Sequence, residues 1–213
     1  MTVLTRLKLN ITSPHVLKAL ANREIFHAAI EASQNPETAG RTLWRIDTLK
    51  GDTYLLILSP DRLDNEILET QFCLPDEKAE VKDYSRILDH VVEGSRWRFK
   101  LAANPICYEP RPEGSKQRSK IYAPFADEKK MEWLENQSKK NGFSIDPDQV
   151  SIIGTERITI LKNKHHPATL QQVTFQGALT VTDPELFREA LVSGIGRGKA
   201  YGMGLLTVAP CHD

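Results

Sequence analysis

The chain has 213 residues, of which 40% are hydrophobic and 26% are charged, and its formal net charge is zero. These values are ordinary for a globular protein with a sizeable core, in one domain or two small ones. No apolar run is long enough to span a bilayer and no signal-peptide core is present, so we expect a cytoplasmic protein without membrane contacts. Three widely spaced cysteines, Cys73, Cys107 and Cys211, argue against a disulfide framework and a zinc site.

The zero net charge hides an asymmetry along the chain. Residues 61–93 contain ten acids and four bases, whereas residues 96–120 contain seven bases and two acids. Nucleic-acid affinity depends on the local patch rather than on the total charge. The basic run therefore indicates either a phosphate-binding segment or a solvated loop.

The first half of the chain predicts alternating strands and helices. Ser13-Pro14 is a helix start, because serine can cap and proline is tolerated in the first turn. A short turn at 50–52 separates two apolar runs, and residues 84–93 give no clear signal. The predicted elements are strands at 4–11, 43–46 and 54–58, a helix at 14–32 with a break near Asn22, and a short acidic helix at 61–70.

The second half repeats this arrangement after a polar interruption. Residues 108–125 are rich in proline, glycine, serine and cations, which indicates a long hairpin or a flexible loop. In the helix that follows we expect Met131, Trp133 and Leu134 to face a core. The predicted elements are strands at 97–101, 150–160, 173–181 and 205–208, and helices at 127–141 and 184–192.

Each half thus has the order β-α-β-β-α-β, which is the ferredoxin-like pattern that RNA-recognition domains share. We predict an α+β protein with two domains, at residues 1–92 and 93–213. A single α+β domain with a larger sheet is the alternative.

A glycine-rich loop precedes the last strand. Its glycines and cations are Gly194, Gly196, Arg197, Gly198, Lys199, Gly202 and Gly204. Backbone N–H groups in such a loop can form an anion-binding concavity, so the loop indicates either a phosphate contact or a plain turn. It is not a P-loop, because Gly198-Lys199 is followed by Ala200, and it matches no dinucleotide fingerprint and leads into a strand rather than a helix.

His27 is the most interesting single residue. Histidine can give and take a proton near neutral pH, and Arg23 and Glu31, one helical turn to either side, can share its helix face. A lone histidine on a helix can equally be a packed or surface residue. No pair of histidines has metal-ligand spacing with a third ligand nearby, and no nucleophile elbow is present. We therefore expect no metal, no cofactor and no covalent intermediate.

Three segments together carry a resemblance to a known family. Residues 99–106 read FKLAANPI, residues 131–134 read MEWL, and the strand at 172–181 is followed by GIGRGKAYGMGLL at 194–206. This combination resembles the CasE family, the CRISPR repeat endoribonucleases of the type I-E Cascade system. The resemblance covers nearly the whole chain and is weakest over residues 61–93.

The resemblance implies a fold and an activity. CasE proteins have two tandem ferredoxin-like, RRM-like domains of the RAMP superfamily, and they cut precursor CRISPR RNA without metal at the base of a repeat hairpin. They often stay bound to the mature guide beside other Cascade subunits. The family's catalytic histidine maps to His27, as general acid or base in an attack by the ribose 2′-OH that leaves a 2′,3′-cyclic phosphate and a 5′-OH.

The chain departs from the family beside that histidine. Several relatives carry a tyrosine where this chain has Glu24, and some carry a lysine about one turn after the histidine, where this chain has Ile30-Glu31-Ala32. Arg23 is a possible auxiliary residue in their place. These departures leave open an alternative, a non-cleaving RNA-binding subunit of the same complex. The second alternative is an α+β domain with no RNA role.

Binding of an A-form stem depends mainly on phosphate contacts and shape. We expect contacts from the basic segment, from a second basic loop and from the glycine-rich loop. The predicted RNA-binding residues are Arg111, Lys116, Arg118, Lys120, Lys162, Lys164, Arg197 and Lys199.

Overall fold

The first half of the protein forms a four-stranded antiparallel sheet. The computed structural model describes residues 2–109, 119–160 and 168–211. The strands of this sheet are β1 (Val3–Lys8), β2 (Leu43–Leu49), β3 (Asp52–Ser59) and β4 (Glu80–Asp83), and the helices of this half are α1 (Pro14–Ala21), α2 (Glu24–Ala32), α3 (Asn65–Phe72) and the short α4 (Ser85–Asp89). The strand order is β2-β3-β1-β4.

The second half repeats that topology. Its sheet has the order β10-β5-β9-β8, and a separate two-stranded hairpin, β6-β7, follows its first strand. The elements are β5 (Arg96–Ala103), β6 (Cys107–Tyr108), β7 (Ile121–Tyr122), α5 (Asp127–Lys140), β8 (Phe143–Ile160), β9 (Ala168–Val181), α6 (Pro184–Ser193) and β10 (Leu206–Pro210). In both sheets the first and third strands of a β-α-β-β-α-β unit lie in the middle, which confirms two tandem ferredoxin-like domains.

The observed elements refine the predicted ones. The predicted break near Asn22 is confirmed, because α1 ends at Ala21 and the Asn22 side chain accepts a bond of 3.3 Å from the Glu24 amide. The first strand is shorter than predicted and stops at Lys8, since Asn10 turns the chain by accepting bonds from the Thr12 amide and hydroxyl. No helix among the described residues is long and apolar enough to cross a membrane.

Strand β8 is longer than predicted. It begins at Phe143 rather than at residue 150, and its pairing with β9 shifts register between Ile145 and Val150. The shift surrounds Pro147, which has no amide hydrogen to give to a ladder. The predicted long hairpin at 108–125 begins with β6 and ends with β7, and residues 110–118 lie outside the described residues.

One apolar cluster joins the two sheets, beside a separate cluster within the first half. Side chains of the first half pack in one cluster with the inner faces of β5, β9, α5 and α6. The members from the first half and the connecting segment are Leu43, Leu58, Tyr84 and Val91. The predicted domain boundary at 92/93 falls between α4 and β5, directly after the buried Val91, and it stays a prediction.

Arg45 fastens the first sheet to the second. Its side chain is 2% exposed and donates bonds of 2.9 Å to the carbonyls of Lys100 and Leu205 and to the Thr207 hydroxyl. The Asp47 carboxylate accepts at 2.7 Å from Arg45 and also lies 2.7 Å from the Lys100 Nζ. The guanidinium is therefore fully used as a fixed link between β2 and the strands β5 and β10.

Candidate active site

His27 lies at the border between the buried and exposed faces of α2. Its neighbours Phe26, Ala29 and Ile30 are buried and hold the helix against the first sheet, whereas the imidazole is 28% exposed. The His27 Nε2 is 3.3 Å from the Glu31 carboxylate, one turn further along the helix. The Glu31 oxygen can accept from this nitrogen and orient the ring.

The imidazole opens into a cleft formed by both halves of the chain. The volume of the cleft is about 380 Å³. From the first half it is lined by His27 and Glu31 of α2 and by the segment that leads into β2, and from the second half by Ala200 of the glycine-rich loop. The fold thus brings the helix histidine to the glycine-rich loop, although they are far apart in sequence.

Its glycines allow the glycine-rich loop to pack closely against α2 and β2. All five have positive φ, between 75° and 91°. At Gly202 a Cβ atom would lie 2.7 Å from the Trp44 ring and 2.9 Å from the Arg23 guanidinium. Such distances are shorter than van der Waals contact, so only glycine lets the loop lie against α2 and β2.

Part of the loop's backbone is engaged within the protein. The amides of Ile195, Tyr201 and Gly202 donate to carbonyls of the loop, and the Gly204 amide donates to Ala102 in β5. These four N–H groups are therefore not free for an anion. The predicted phosphate-binding role of the loop stays a prediction.

The charge of Lys199 is influenced by Arg41, a cation that has no motif around it in the sequence. Burial lowers the pKa of Lys199, and repulsion from the Arg41 guanidinium lowers it further. Arg41 is exposed and lines the His27 cleft at the entry to β2. No motif surrounds Arg41, so only the tertiary contact between β2 and the glycine-rich loop reveals it.

Arg23 lies behind the cleft. It is 8% exposed, its Nη2 is 3.9 Å from the Glu156 carboxylate of β8, and burial lowers its pKa. Its Nη1 is buried against Gly202 with no hydrogen-bond partner among the described residues. The side chain therefore joins α2 to the second domain and does not line the cleft.

Glu24, the residue in the family's tyrosine position, is also absent from the cleft lining. Its Oε1 is buried and has no hydrogen-bond partner among the described residues. The structure thus does not place this carboxylate in the wall beside His27.

Arg197 faces a second and larger cleft. This cleft has a volume of about 590 Å³ and lies between the β6-β7 hairpin, α5 and the glycine-rich loop. Its lining includes Tyr108, Lys129 and Lys140 together with Arg197. Arg197 also pairs through its backbone with Asn104, in the segment that resembles the family. Of the two cations of the loop, Arg197 lines this cleft, whereas Lys199 lines neither this cleft nor the His27 cleft.

The other predicted RNA-binding residues fall mostly outside the described part of the chain. Lys120 is described; it is exposed at the loop end of the β6-β7 ladder, where its carbonyl accepts a bond of 2.9 Å from the Glu109 amide. Arg111, Lys116, Arg118, Lys162 and Lys164 lie outside the described residues. Within the described ranges, no three histidine, cysteine or carboxylate side chains come together as a metal site would require.

The fold and the site define a protein of two tandem ferredoxin-like domains with a histidine in a cleft between them. A family model described as CRISPR associated protein matches residues 3–210. The CRISPR-associated endoribonuclease Cse3 of Thermus thermophilus is 30% identical over 220 residues, which span 97% of this chain and 99% of that protein. The chain therefore belongs to the CRISPR-associated protein family, with the Cse3 (CasE) endoribonucleases as its relatives.

Solved structures agree with this assignment. Cse3 bound to a 19-nucleotide RNA matches with a TM-score of 0.81 at 28% identity, over 98% of this chain and 100% of that one. Thermus thermophilus Cse3 bound to an RNA representing a pre-cleavage complex matches with a TM-score of 0.80 at 28% identity, over 98% and 99%. A chain of a CRISPR RNA-guided surveillance complex, 22% identical with a TM-score of 0.65 over 98% and 100%, shares the fold.

Proposed function

We propose that this protein is an endoribonuclease that cleaves precursor CRISPR RNA at the base of the repeat stem-loop. The observation that carries the proposal is the partly exposed imidazole of His27 in a cleft between the two domains, in a chain of the Cse3 family. The relatives are named as endoribonucleases, and two of their structures contain RNA. The proposed site of action is the cytoplasm.

The proposed reaction is a transesterification within the RNA. The ribose 2′ oxygen forms a bond to the adjacent phosphorus and the bond from phosphorus to the 5′ oxygen breaks, giving a 2′,3′-cyclic phosphate and a 5′-OH. One proton leaves the 2′-OH and one reaches the 5′ oxygen, so neither a metal nor a redox partner is needed for the balance. Because the RNA supplies its own nucleophile, the protein must position it, transfer protons and stabilise charge.

His27 performs a proton transfer in this scheme. Neutral imidazole can accept the 2′ proton and imidazolium can give one to the 5′ oxygen, and the residue types in the cleft fit either role. Glu31, at 3.3 Å, orients the ring. General acid–base catalysis contributes about 10²–10⁴-fold, which is compatible with a slow, single-turnover enzyme.

RNA binding is assigned to the cationic surfaces outside the His27 cleft. Arg197, Lys129 and Lys140 line the larger cleft and Lys120 lies at the loop end of the adjoining β6-β7 ladder. An A-form stem exposes phosphates and hides base edges in its deep groove, so such cations recognise it by charge and shape. The partners in this proposal are the repeat RNA, the mature guide that the protein retains, and other Cascade subunits.

A repeat hairpin with one deoxyribose at the scissile position tests the proposal. Purified protein is incubated with this hairpin and with the all-ribose hairpin, both in chelator. We expect both to bind and only the all-ribose strand to be cut, because the deoxy strand lacks the nucleophile. Binding without cleavage of either strand would instead support a non-cleaving RNA-binding subunit, and absence of binding at low salt would exclude an RNA role.

A further inference from the structure

The second cleft, which Arg197 lines, differs from the His27 cleft in size and in chemistry. Its volume of about 590 Å³ lies in the range of cavities that hold small organic ligands. Three kinds of side chain meet there, namely aromatic rings, side-chain amides and cations. Each kind suits a different part of a nucleotide: the face of the base, the edge of the base and the phosphate.

Asn104 is a buried amide in the wall of this cleft. It follows the end of β5, is 6% exposed and still lines the cleft. Its amide forms no hydrogen bond within the described ranges, and it is not among the polar groups that are sealed from solvent without a partner. Buried polar groups are almost always paired, so an amide that is unpaired and open to a cleft indicates a ligand with hydrogen-bonding groups.

Aromatic rings form another part of the wall. Trp133 is 8% exposed and is held on two sides, since it stacks on Phe175 with 6.2 Å between the ring centroids and a Cβ on Gly196 would lie 3.1 Å from it. Tyr108 and Tyr122 line the same cleft and are 55% and 43% exposed. Exposed aromatic rings beside cations are typical platforms for the stacking of unpaired bases.

Two cations of the cleft have no carboxylate partner in the described part of the chain. Arg197 and Lys140 are exposed and form no ion pair there, whereas Lys129 lies 2.6 Å from the Glu132 carboxylate. Arg197 also pairs through its backbone with Asn104, so a free cation and an open amide are neighbours. On α5, Lys140 lies one helical turn after Asn136, and both line the cleft.

We propose that the second cleft binds an unpaired nucleotide beside the repeat stem and recognises its base. The base stacks on the tyrosines, and its edge bonds the amides of Asn104 and Asn136. Arg197 and Lys140 bind the adjoining phosphates. A paired nucleotide does not fit this role, because an A-form stem hides its base edges in a groove that side chains cannot read. The assignment to RNA rests on the proposed function, whereas the affinity of the cleft for a nucleotide does not.

The glycine-rich loop places this site near the reaction. Arg197 lines the second cleft and Ala200 lines the His27 cleft, and the two residues are three positions apart. Three residues of chain span at most about 10 Å. One RNA strand can therefore occupy both clefts, with the recognised nucleotide a few positions from the scissile bond. The cleft then selects the substrate by sequence beside the stem, whereas the stem itself is selected by shape.

Binding of two uncleavable hairpins to the full-length protein tests the site. Both carry deoxyribose at the scissile position, and they differ only in that the unpaired nucleotides flanking the stem are intact in one and abasic in the other. We expect the wild type to bind the intact hairpin about 5–150-fold more tightly, which is the contribution of one stacked base.

Variants of the cleft identify the residues that read the base. Tyr108→Ala and Asn136→Ala, both at exposed positions, should each reduce this affinity ratio. Asn104→Asp should change which of the four bases is preferred, because a donor is replaced by an acceptor. Phe125→Ala is the matched control and should keep the wild-type ratio, since Phe125 is 90% exposed and lines neither cleft.

The outcomes separate this site from the proposed function. Equal affinity of the wild type for the two hairpins, or a wild-type ratio in both alanine variants of the cleft, overturns the site, and cleavage of the all-ribose hairpin leaves the proposed function standing. A base-dependent affinity without any cleavage supports the site and overturns the endoribonuclease. The four nucleoside 5′-monophosphates, titrated by NMR, give the remaining arm: a cleft that they saturate but that ignores the abasic change binds free nucleotides, which overturns the assignment to RNA.

Discussion

His27 illustrates how one side chain can be both anchored and available. The neighbouring Phe26 and Ile30 are 0% and 1% exposed, so the helix cannot turn, while the imidazole itself keeps 28% of its surface open. A rigid helix under a partly open ring suits proton transfer, because the ring position is set before the substrate arrives.

Replacement of His27 by alanine tests its role in proton transfer. We expect His27→Ala to abolish detectable cleavage of the repeat hairpin, with affinity for the RNA nearly unchanged, because the ring makes no contact that the fold needs. His90→Ala is the matched control, since His90 is exposed at the C-terminal end of α4, where its Nδ1 bonds the Arg86 carbonyl. Equal cleavage by His27→Ala and wild type would show that another group transfers the proton.

The sequence singled out His27 but not Arg41. A histidine on an amphipathic helix stands out because few side chains titrate near neutral pH, and the family resemblance then gave it a role. Arg41 follows Gly40 in an irregular segment with no motif, so nothing local distinguishes it from a solvated arginine. Its place in the lining of the His27 cleft depends on contacts between distant parts of the chain.

The glycine-rich loop is an element for which the sequence predicted the backbone conformation but not the packing contacts. Its composition predicted a tight, backbone-exposing loop, and the positive φ of all five glycines confirms the conformational reason for them. Several of its N–H groups bond carbonyls of the loop and of β5, and the predicted use of its backbone for an anion stays a prediction. The glycines serve close packing against Trp44 and Arg23.

Gly202→Ala tests that packing role. The new Cβ would lie 2.7 Å from the Trp44 ring, at a residue whose φ is +79°. Backbone strain alone costs about 1–3 kcal/mol, so with the clash we expect a larger loss of unfolding free energy. We also expect slower cleavage, because Ala200 would move. Gly51→Ala is the control, because Gly51 has φ of +87° with nothing within 4 Å of its Cβ position. Denaturant unfolding measures the stability of the two variants, and single-turnover assays measure their cleavage rates. Equal losses in the two variants would mean that strain, and not the contact with Trp44, explains the glycine.

At the scale of the whole molecule, the two domains behave as one packed body. The shared apolar cluster and the Arg45 link leave no separate surface between the sheets. Burial on its own would raise the pKa of Asp47, but hydrogen bonds and charge from Arg45 and Lys100 outweigh it and lower the pKa. The ionised carboxylate therefore stabilises the docked domains at neutral pH.

This network predicts an acid dependence of stability. Because the folded-state pKa of Asp47 is depressed, its contribution is present above its unfolded pKa of about 3.9 and is lost as pH falls through the folded value. Asp47→Asn should lower the free energy of unfolding by roughly 3–5 kcal/mol at pH 7, since it leaves the buried Arg45 guanidinium without its carboxylate partner. The difference from wild type should shrink as the pH falls from the unfolded pKa of Asp47 through its depressed folded pKa. Denaturant melts over a series of pH values from 7 downward measure the difference, and a difference independent of pH would contradict the assignment.

The sequence by itself determined the two β-α-β-β-α-β units, the break at Asn22, the helix starts at Ser13 and Asp183, and the candidate histidine. These features depend on hydrophobic periodicity, caps and turn residues, which act between neighbours in the chain. The tertiary structure alone decided that Arg197 lines a cleft separate from that of His27, that Arg23 is a link behind the His27 cleft, and that Arg41 lines the same cleft as His27. Those placements follow from the packing of one domain on the other, and no local pattern encodes contacts between residues so distant along the chain.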